Sequence, residues 1–284
     1  MKTTVVLSLW KVPDLPVEAE TINPEAVTGK RAAEIQALPL WVGNRQEQVG
    51  NYFNVEIRAD DAAADNESSS SPQLVVKGDL SRFKRLGEKM AAGHMRLEGP
   101  VGFHAGAAMQ GGILTICGNA GDYLGAHMQG GQIIVNGSAG HFTGAAYRGY
   151  QYGMNGGSIL IKGAAGQMLG ARLRRGLIAV SGDCGDMPGF AMKAGTIVIG
   201  GTAGSRAGAM MRRGTLVFFR QPQLLPTFYY NATYQPLFWP ILRKSLQQNG
   251  FGWPADSHES MFQRYTGDAN EGGRGEVLVC LSHN

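Results

Sequence analysis

A glycine pattern that returns every nineteen residues constrains this chain more than any other feature of it. The spacing G-x2-G-x3-G-x5-G stands at Gly118, Gly121, Gly125 and Gly131, nineteen residues earlier at Gly99, Gly102, Gly106 and Gly112, and nineteen later at Gly137, Gly140 and Gly144. After an insertion of seven residues the phase resumes at Gly157, followed by Gly163, Gly166, Gly170 and Gly176, then Gly182, Gly185, Gly189 and Gly195, then Gly201, Gly204, Gly208 and Gly214. A degenerate first copy starts at Gly78, with Ser81 in second place and Gly87 and Gly93 displaced, so the repeat zone runs from about 74 to 219. Self-similarity at a short fixed period marks units that stack and bury one another's apolar faces.

A short apolar run precedes each leading glycine. Four residues before it stand Leu74, Met95, Leu114, Ile133, Ile159, Ile178 and Ile197; two before it stand Val76, Leu97, Ile116, Val135, Ile161, Val180 and Ile199. Two apolar columns at period two mean a strand with one inward face, while the flanking positions vary freely between polar and apolar, as an outer face would. Ten residues after the leading glycine a further inward column reads Met109, Met128, Tyr147, Leu173, Met192 and Met211. Nineteen residues are too few for a strand, a crossover helix and a return, and glycine at several fixed positions opposes helix. The pattern predicts an all-β, right-handed parallel β-helix of about seven nineteen-residue coils, its strands stacked at roughly 4.8 Å. Gly99, Gly118, Gly121, Gly125, Gly137, Gly163, Gly182 and Gly201 are then structural, supplying the positive-φ corners that other residues resist.

Composition agrees. Forty-two glycines are about twice the usual share of roughly 7%, yet there is no Gly-X-Y triplet and only 17% of residues are charged, so neither collagen nor a disordered chain fits. A stacked repeat exposes both end faces, and mixed α/β caps are expected at residues 1–58 and 220–284, flanking a β-helix at 74–219. In the first, "TVVLSL" reads as a strand, "GKRAAEIQAL" as a helix, and Asn23 before Pro24 as a helix N-cap; in the last, a helix is expected after Pro240, ending near Gly250. Residues 59–73, including "ADDAAADNESSSSP", read as a flexible acidic, serine-rich linker. Cys117, Cys184 and Cys280 form no CxxC pair, no signal sequence is visible, and no apolar run is long enough to span a membrane, which points to a cytoplasmic protein. The net charge of +4 permits an anionic partner without calling for a nucleic acid.

The search for chemistry yields no catalytic residue. A Walker loop fails at Gly29-Lys30-Arg31, where Pro24 replaces the first glycine, and a dinucleotide fingerprint would occur once rather than in every repeat. No histidine pair has metal-ligand spacing, Cys117 and Cys184 lack a repeated histidine partner, and Asp183 and Asp186 are the only close acidic pair in the coils. One column stands out: eleven residues after the leading glycine come Gln110, Gln129, Arg148, Arg174, Lys193 and Arg212, with Arg172, Arg175 and Arg213 beside them. Stacked in register, these cations repel, and water, counter-ions, acidic residues across an interface with a partner chain or a polyanionic ligand must relieve them. The inserted "YQYGMNG" at 150–156 offers Tyr150, Tyr152 and Met154 as interface anchors.

The glycine repeat resembles the β-helix shared by the C-terminal domain of glutamate synthase and the C-subunit family of formylmethanofuran dehydrogenase. The flanks "INPEAVTGKRAAEIQALPLWVGNRQEQVGNYFNV" and "RYTGDANEGGRGEVLV", with "GDLSRFKRLGEKMAAG" and "GMNGGSILIKG", are similar to the latter, and the resemblance covers nearly the whole chain. It implies a non-catalytic scaffold in one of two complexes. One is the bacterial formyltransferase/hydrolase complex, which moves a formyl group from formyl-tetrahydromethanopterin to a methanofuran-type carrier and releases formate. The other is the methanogen dehydrogenase, with tungsten or molybdenum and iron–sulfur subunits. The linker and basic character favour the first. The expected partners are an amidohydrolase-like A-subunit carrying the metal, a B-subunit and a formyltransferase D-subunit, and this chain is expected to hold no cofactor of its own. The carrier's polyglutamate tail supplies a polyanion for the basic column.

Overall fold

The computed structural model describes residues 3–59, 73–251 and 261–281. The N-terminal segment holds β1 (Thr3–Leu9), β2 (Val17–Glu18), α1 (Pro24–Val27), α2 (Ala32–Gln36), β3 (Pro39–Val42), β4 (Arg45–Gln48) and β5 (Phe53–Ala59). The repeats contribute β6 (Leu74–Lys77), β7 (Phe83–Lys84), β8 (His94–Glu98), β9 (Ile113–Ile116), β10 (Gln132–Val135), β11 (Asn155–Ile161), β12 (Arg175–Val180), β13 (Thr196–Ile199) and β14 (Thr215–Phe218). After them come β15 (Tyr230–Tyr234), α3 (Trp239–Gln248), β16 (Phe262–Thr266) and β17 (Glu276–Cys280). The residues read as a linker lie almost wholly outside the described ones.

The period-two columns become ladders. In a 13-stranded sheet the pairs from β1 and β6 through β8 to β14, and on to β17, all run parallel. Leu114 pairs with Ile133, Ile133 with Ile159, Ile159 with Ile178, and Ile178 with Ile197, each fully buried. Each such side chain removed from water contributes about 1.5–3 kcal/mol. A second parallel ladder, one residue per repeat, runs Leu80, Val101, Ala120, Ala139, Ala165, Cys184 and Ala203. The outward positions of the later strands are not the open face that their varied composition implied. Leu160, Ala179, Val198, Val217 and Leu278 are buried in a second core with Trp239 and Leu246 of α3, Phe251 and Phe262.

Both ends of the parallel run are closed by antiparallel strands: β5 against β1, and β16 against β17 with β15 outermost. A small sheet, β4-β3-β2-β7, packs beside the first repeat. The helix signals act as read. Asn23 accepts the Ala26 amide at 2.8 Å ahead of Pro24, and Pro240 stands in the first turn of α3, which ends before Gly250.

The glycines divide into two kinds, where the sequence offered one. Gly125 has φ +59, a genuine left-handed corner, but Gly118 and Gly121 are absent from the positive-φ positions. A Cβ on Gly118 would lie 2.6 Å from the carbonyl carbon of Gly99 in the preceding repeat, so what is needed there is close backbone approach. Other corners are left-handed without glycine: His104, Tyr123, Phe142, Met168, Met187 and Arg206 all have positive φ. Asp183 and Asp186 accept the amides of Thr202 and Ser205 in the next repeat, each at 2.7 Å, as Asn119 and Asp122 do for Ser138 and His141. They join repeats rather than forming an acid/base pair.

The seven-residue insertion lies earlier than its phase suggested. The Asn155 amide donates to the Met128 carbonyl, as Gln129 does to Met109, and the Arg174 amide donates to Met154. Met154 is fully buried and its terminal methyl lies where a Cβ of Gly176 would come within 2.6 Å, as the Met192 methyl does at Gly214. Met154 therefore fills the inward column that the count assigned to Tyr147, and it is no interface anchor. The extra residues are 147–153, and Tyr147 is displaced outward.

Candidate functional site

Because the repeats stack in register, basic residues one repeat apart meet on one surface. The amides of Arg174, Lys193 and Arg212 donate to the carbonyls of Met154, Leu173 and Met192, which places them at equivalent positions of successive repeats, about 4.8 Å apart. They line a cavity of about 700 Å³ together with Arg172, Arg175 and Arg213, walled on one side by Tyr150 and Tyr152 of the insertion. An adjoining cavity of about 390 Å³ shares Lys193, Arg212, Arg213 and Glu271 and adds Arg274. Arg148 is not among the lining residues. The shifted insertion puts Asn155 in its place in the column, so the cationic stretch is confined to the later repeats.

The groove relieves its repulsion in several ways. Arg172 Nη1 donates to the Tyr150 carbonyl at 2.5 Å, and the Arg174 guanidinium lies 4.7 Å from the Tyr152 ring centre, a cation–π contact. Arg212 Nε pairs with Glu271 at 2.6 Å. Burial, then the charge of neighbouring Arg212, hold the Lys193 ammonium below its ordinary pKa; Arg172 adds to this and Glu271 opposes it. One carboxylate among seven lining cations leaves a strongly positive concavity. Its chemistry is electrostatic: several exposed guanidinium groups can take carboxylate or phosphate oxygens in paired hydrogen bonds.

Glu271 and Arg274 were not legible in the repeat, for they arrive from the C-terminal segment. β17 extends the sheet beside β14, and the 3-10 turn Ala269–Glu271 preceding it is fixed by buried Asp268, whose carboxylate accepts the Met210 amide at 2.7 Å and the Asn270 amide at 3.0 Å.

An aromatic cluster borders the insertion. Tyr123 stacks on Phe142 at 4.8 Å and on His104 at 5.3 Å, and Tyr147 lies against His104, Tyr123 and His127. The Tyr147 amide donates to His127 Nε2 at 2.9 Å, and its hydroxyl lies 3.0 Å from His104 Nδ1. Burial lowers the pKa of both imidazoles, with Arg85 adding to the effect at His104. These side chains fix the start of the loop that walls the groove.

Cys184 is buried and burial pushes its thiol up to about 12, so it is no nucleophile. Among the described residues no group of three or more His, Cys, Asp or Glu could hold a metal ion, and no helix is long and apolar enough to cross a membrane.

The stacked repeats with glycine at the close approaches define a glycine-repeat β protein. The chain belongs to the GXGXG motif family, which it matches over residues 61–232. It is 38% identical over 101 residues to the C-subunit of molybdenum-containing formylmethanofuran dehydrogenase 1 of Methanosarcina barkeri, covering 35% of this chain and 31% of that protein. It is 33% identical over 103 residues to the C-subunit of tungsten-containing formylmethanofuran dehydrogenase 2 of Methanothermobacter marburgensis, covering 36% of each. The match thus spans about a third of the length of these curated relatives. Along its whole length the chain superposes on a chain of the formyltransferase/hydrolase complex of Methylorubrum extorquens, crystallised with methylofuran. The TM-score is 0.85 at 34% identity, covering 98% of this chain and 100% of that one.

Proposed function

We propose that this chain is the non-catalytic scaffold of a complex that transfers a formyl group from formyl-tetrahydromethanopterin to a methanofuran-type carrier and hydrolyses it to formate in the cytoplasm. The fold is then a right-handed parallel β-helix of about seven coils, capped by residues 1–58 and 220–284. Its groove holds the carrier's acidic tail, raising the carrier's effective concentration between active sites on the formyltransferase and amidohydrolase-like partners. The observation that carries this reading is the row of cations along Arg174, Lys193 and Arg212, the two arginines exposed and the lysine half-buried between them, opposed among the lining residues by a single carboxylate. The full-length likeness to a chain crystallised in a methylofuran-bound complex supports it.

Two measurements test it. Gentle purification of the tagged native protein should bring down the amidohydrolase-like, formyltransferase and B-type partners; a monomer with no partners would sink the scaffold reading. Charge reversal at Arg174 and Arg212 should flatten the salt dependence of carrier binding, since each removed ion pair removes a screened attraction. An unchanged salt dependence would remove the groove from the reading. A second reading, the C-subunit of a formylmethanofuran dehydrogenase, is favoured by the identity to the methanogen proteins. Molybdenum or tungsten co-eluting with the purified complex would select it.

A further inference from the structure

Where one repeat meets the next, side chains of the earlier repeat cap backbone amides of the later one. Asn119, Asp122, Asp183 and Asp186 do so with oxygens that remain acceptors between about pH 5 and 8. At the start of the insertion the cap is an imidazole, His127, whose Nε2 accepts the Tyr147 amide at 2.9 Å. A ring nitrogen accepts only while it carries no proton, and on the imidazolium both nitrogens donate. Protonated His127 would set N–H against N–H, and the Tyr147 amide would lose its partner. His104 differs: its Nδ1 lies 3.0 Å from the Tyr147 hydroxyl, which can donate to a neutral ring or accept from a charged one. His141 also caps an amide, that of Gln167 in the repeat beyond the insertion.

We propose that His127 is an acid-sensitive latch, whose protonation releases residues 147–153 from the preceding repeat and opens the tyrosine wall of the basic groove. His127 holds the loop twice, through the Tyr147 amide and through its ring, which lies edge-on to Tyr150 with centres 4.8 Å apart. Tyr150 and Tyr152 line the cavity, so the loop cannot leave without widening it. The titratable groups facing His127 are the phenols of Tyr147 and Tyr150, and Arg172 reaches the loop from the following repeat through the Tyr150 carbonyl. Burial alone holds the His127 imidazole below its ordinary pKa of 6.5. At His104, where burial is again the first cause, Arg85 and Lys84 add to it and Glu18 and Glu88 oppose it. Because the released loop leaves His127 with the higher pKa, opening is favoured as pH falls from 6.5 towards the lowered value, and the latch is closed at pH 7.5.

Hydrogen–deuterium exchange of the full chain, read by mass spectrometry on peptides covering 147–153, tests this at pH 7.5 and 5.5 after scaling for intrinsic exchange rates. The Tyr147, Tyr150 and Gly153 amides, all bonded in the closed loop, should lose protection by about threefold or more on acidification, while residues 178–180 of β12 keep theirs. His127→Gln offers an amide oxygen that accepts at either pH, so its loop should be equally protected at both. His127→Ala should leave the loop unprotected at both. His141→Asn, which keeps an acceptor for the Gln167 amide, should respond as the wild type does. Equal protection at the two pH values in the wild type, or an acid loss that persists in His127→Gln, would overturn the proposal, and the first of these needs no variant to fold. Exchange reports the loop with or without a ligand, so none of these outcomes depends on what the groove binds.

Discussion

Replacing Met154 by alanine tests the register of the repeat at the point where sequence phase and structure part. Met154 is fully buried, and its terminal methyl occupies the space that Gly176 leaves in the following repeat. Truncation removes about 70 Å³ of side chain; at about 24 cal/mol per Å³ an unrelaxed void costs about 1.7 kcal/mol, and lost transfer free energy adds about 1.5 kcal/mol, for a total near 3 kcal/mol. Urea unfolding followed by far-UV circular dichroism should show the midpoint fall by about 1 M with an unchanged slope, taking a slope of about 3 kcal/mol per M. Met128→Ala, one repeat earlier in the same column, should behave alike, since it is equally buried. A loss below about 1 kcal/mol for Met154→Ala, beside a full loss for Met128→Ala, would refute the placement of Met154 and return the inward position to Tyr147.

Gly118→Ala should leave little soluble protein, because the new Cβ would meet Gly99 and Pro100 backbone atoms at 2.6 Å and the stacked backbones of the two repeats have no room to separate; soluble yield and thermal midpoint report it. Gly29→Ala, with φ +75 and open space around it, should cost only about 1 kcal/mol by the same measurement. His104 and His127 have folded pKa values lowered from 6.5, so the unfolded chain takes up protons first as pH falls. Stability should be fully present above that value and decline as pH drops through 6.5 towards the lowered folded values, and urea midpoints at pH 7.5 and 5.5 should differ by less in His127→Gln. Cys184, its thiol pushed up to about 12, should resist iodoacetamide at pH 8 in the native protein and react once unfolded, as mass spectrometry would show.

The apolar columns were legible because a strand's period of two and a repeat of nineteen residues together assign each side chain a face and a neighbour: Leu114, Ile133 and Ile159 are in register as read. What the columns could not settle was the place of seven extra residues, since either Tyr147 or Met154 supplies an apolar side chain near the right spot. Burial decided it, and with it the fate of Arg148, which left the cationic column. The glycines misled in a second way. Composition marks where a side chain is absent without saying whether φ or a neighbouring backbone forbids it, and Gly118 answers to the second cause, Gly125 to the first. The basic groove itself was visible as a column, but Glu271 and Arg274 come from outside the period, by pairing of β17 with β14. No periodic reading finds a residue that occurs once. The covered outer face of β11 to β14 was hidden for the same reason, because its cover, α3, lies beyond the repeats.

The repeated register from β12 to β14 also makes length a variable of this fold. Each repeat from β12 to β13 to β14 adds one strand at a spacing of about 4.8 Å and presents the same inward face to its neighbours, and the antiparallel strands hydrogen-bond only at the two edges of the parallel run, β5 on β1 and β16 on β17. Loss or duplication of one nineteen-residue block would change the groove by a single step and keep the strand pairing at both edges, while α3 would have to re-seat on the outer faces of β11 to β14. A protein built this way can lengthen or shorten its surface in whole increments without redesign of its inner core, at the expense only of the cover that α3 lays over β11 to β14.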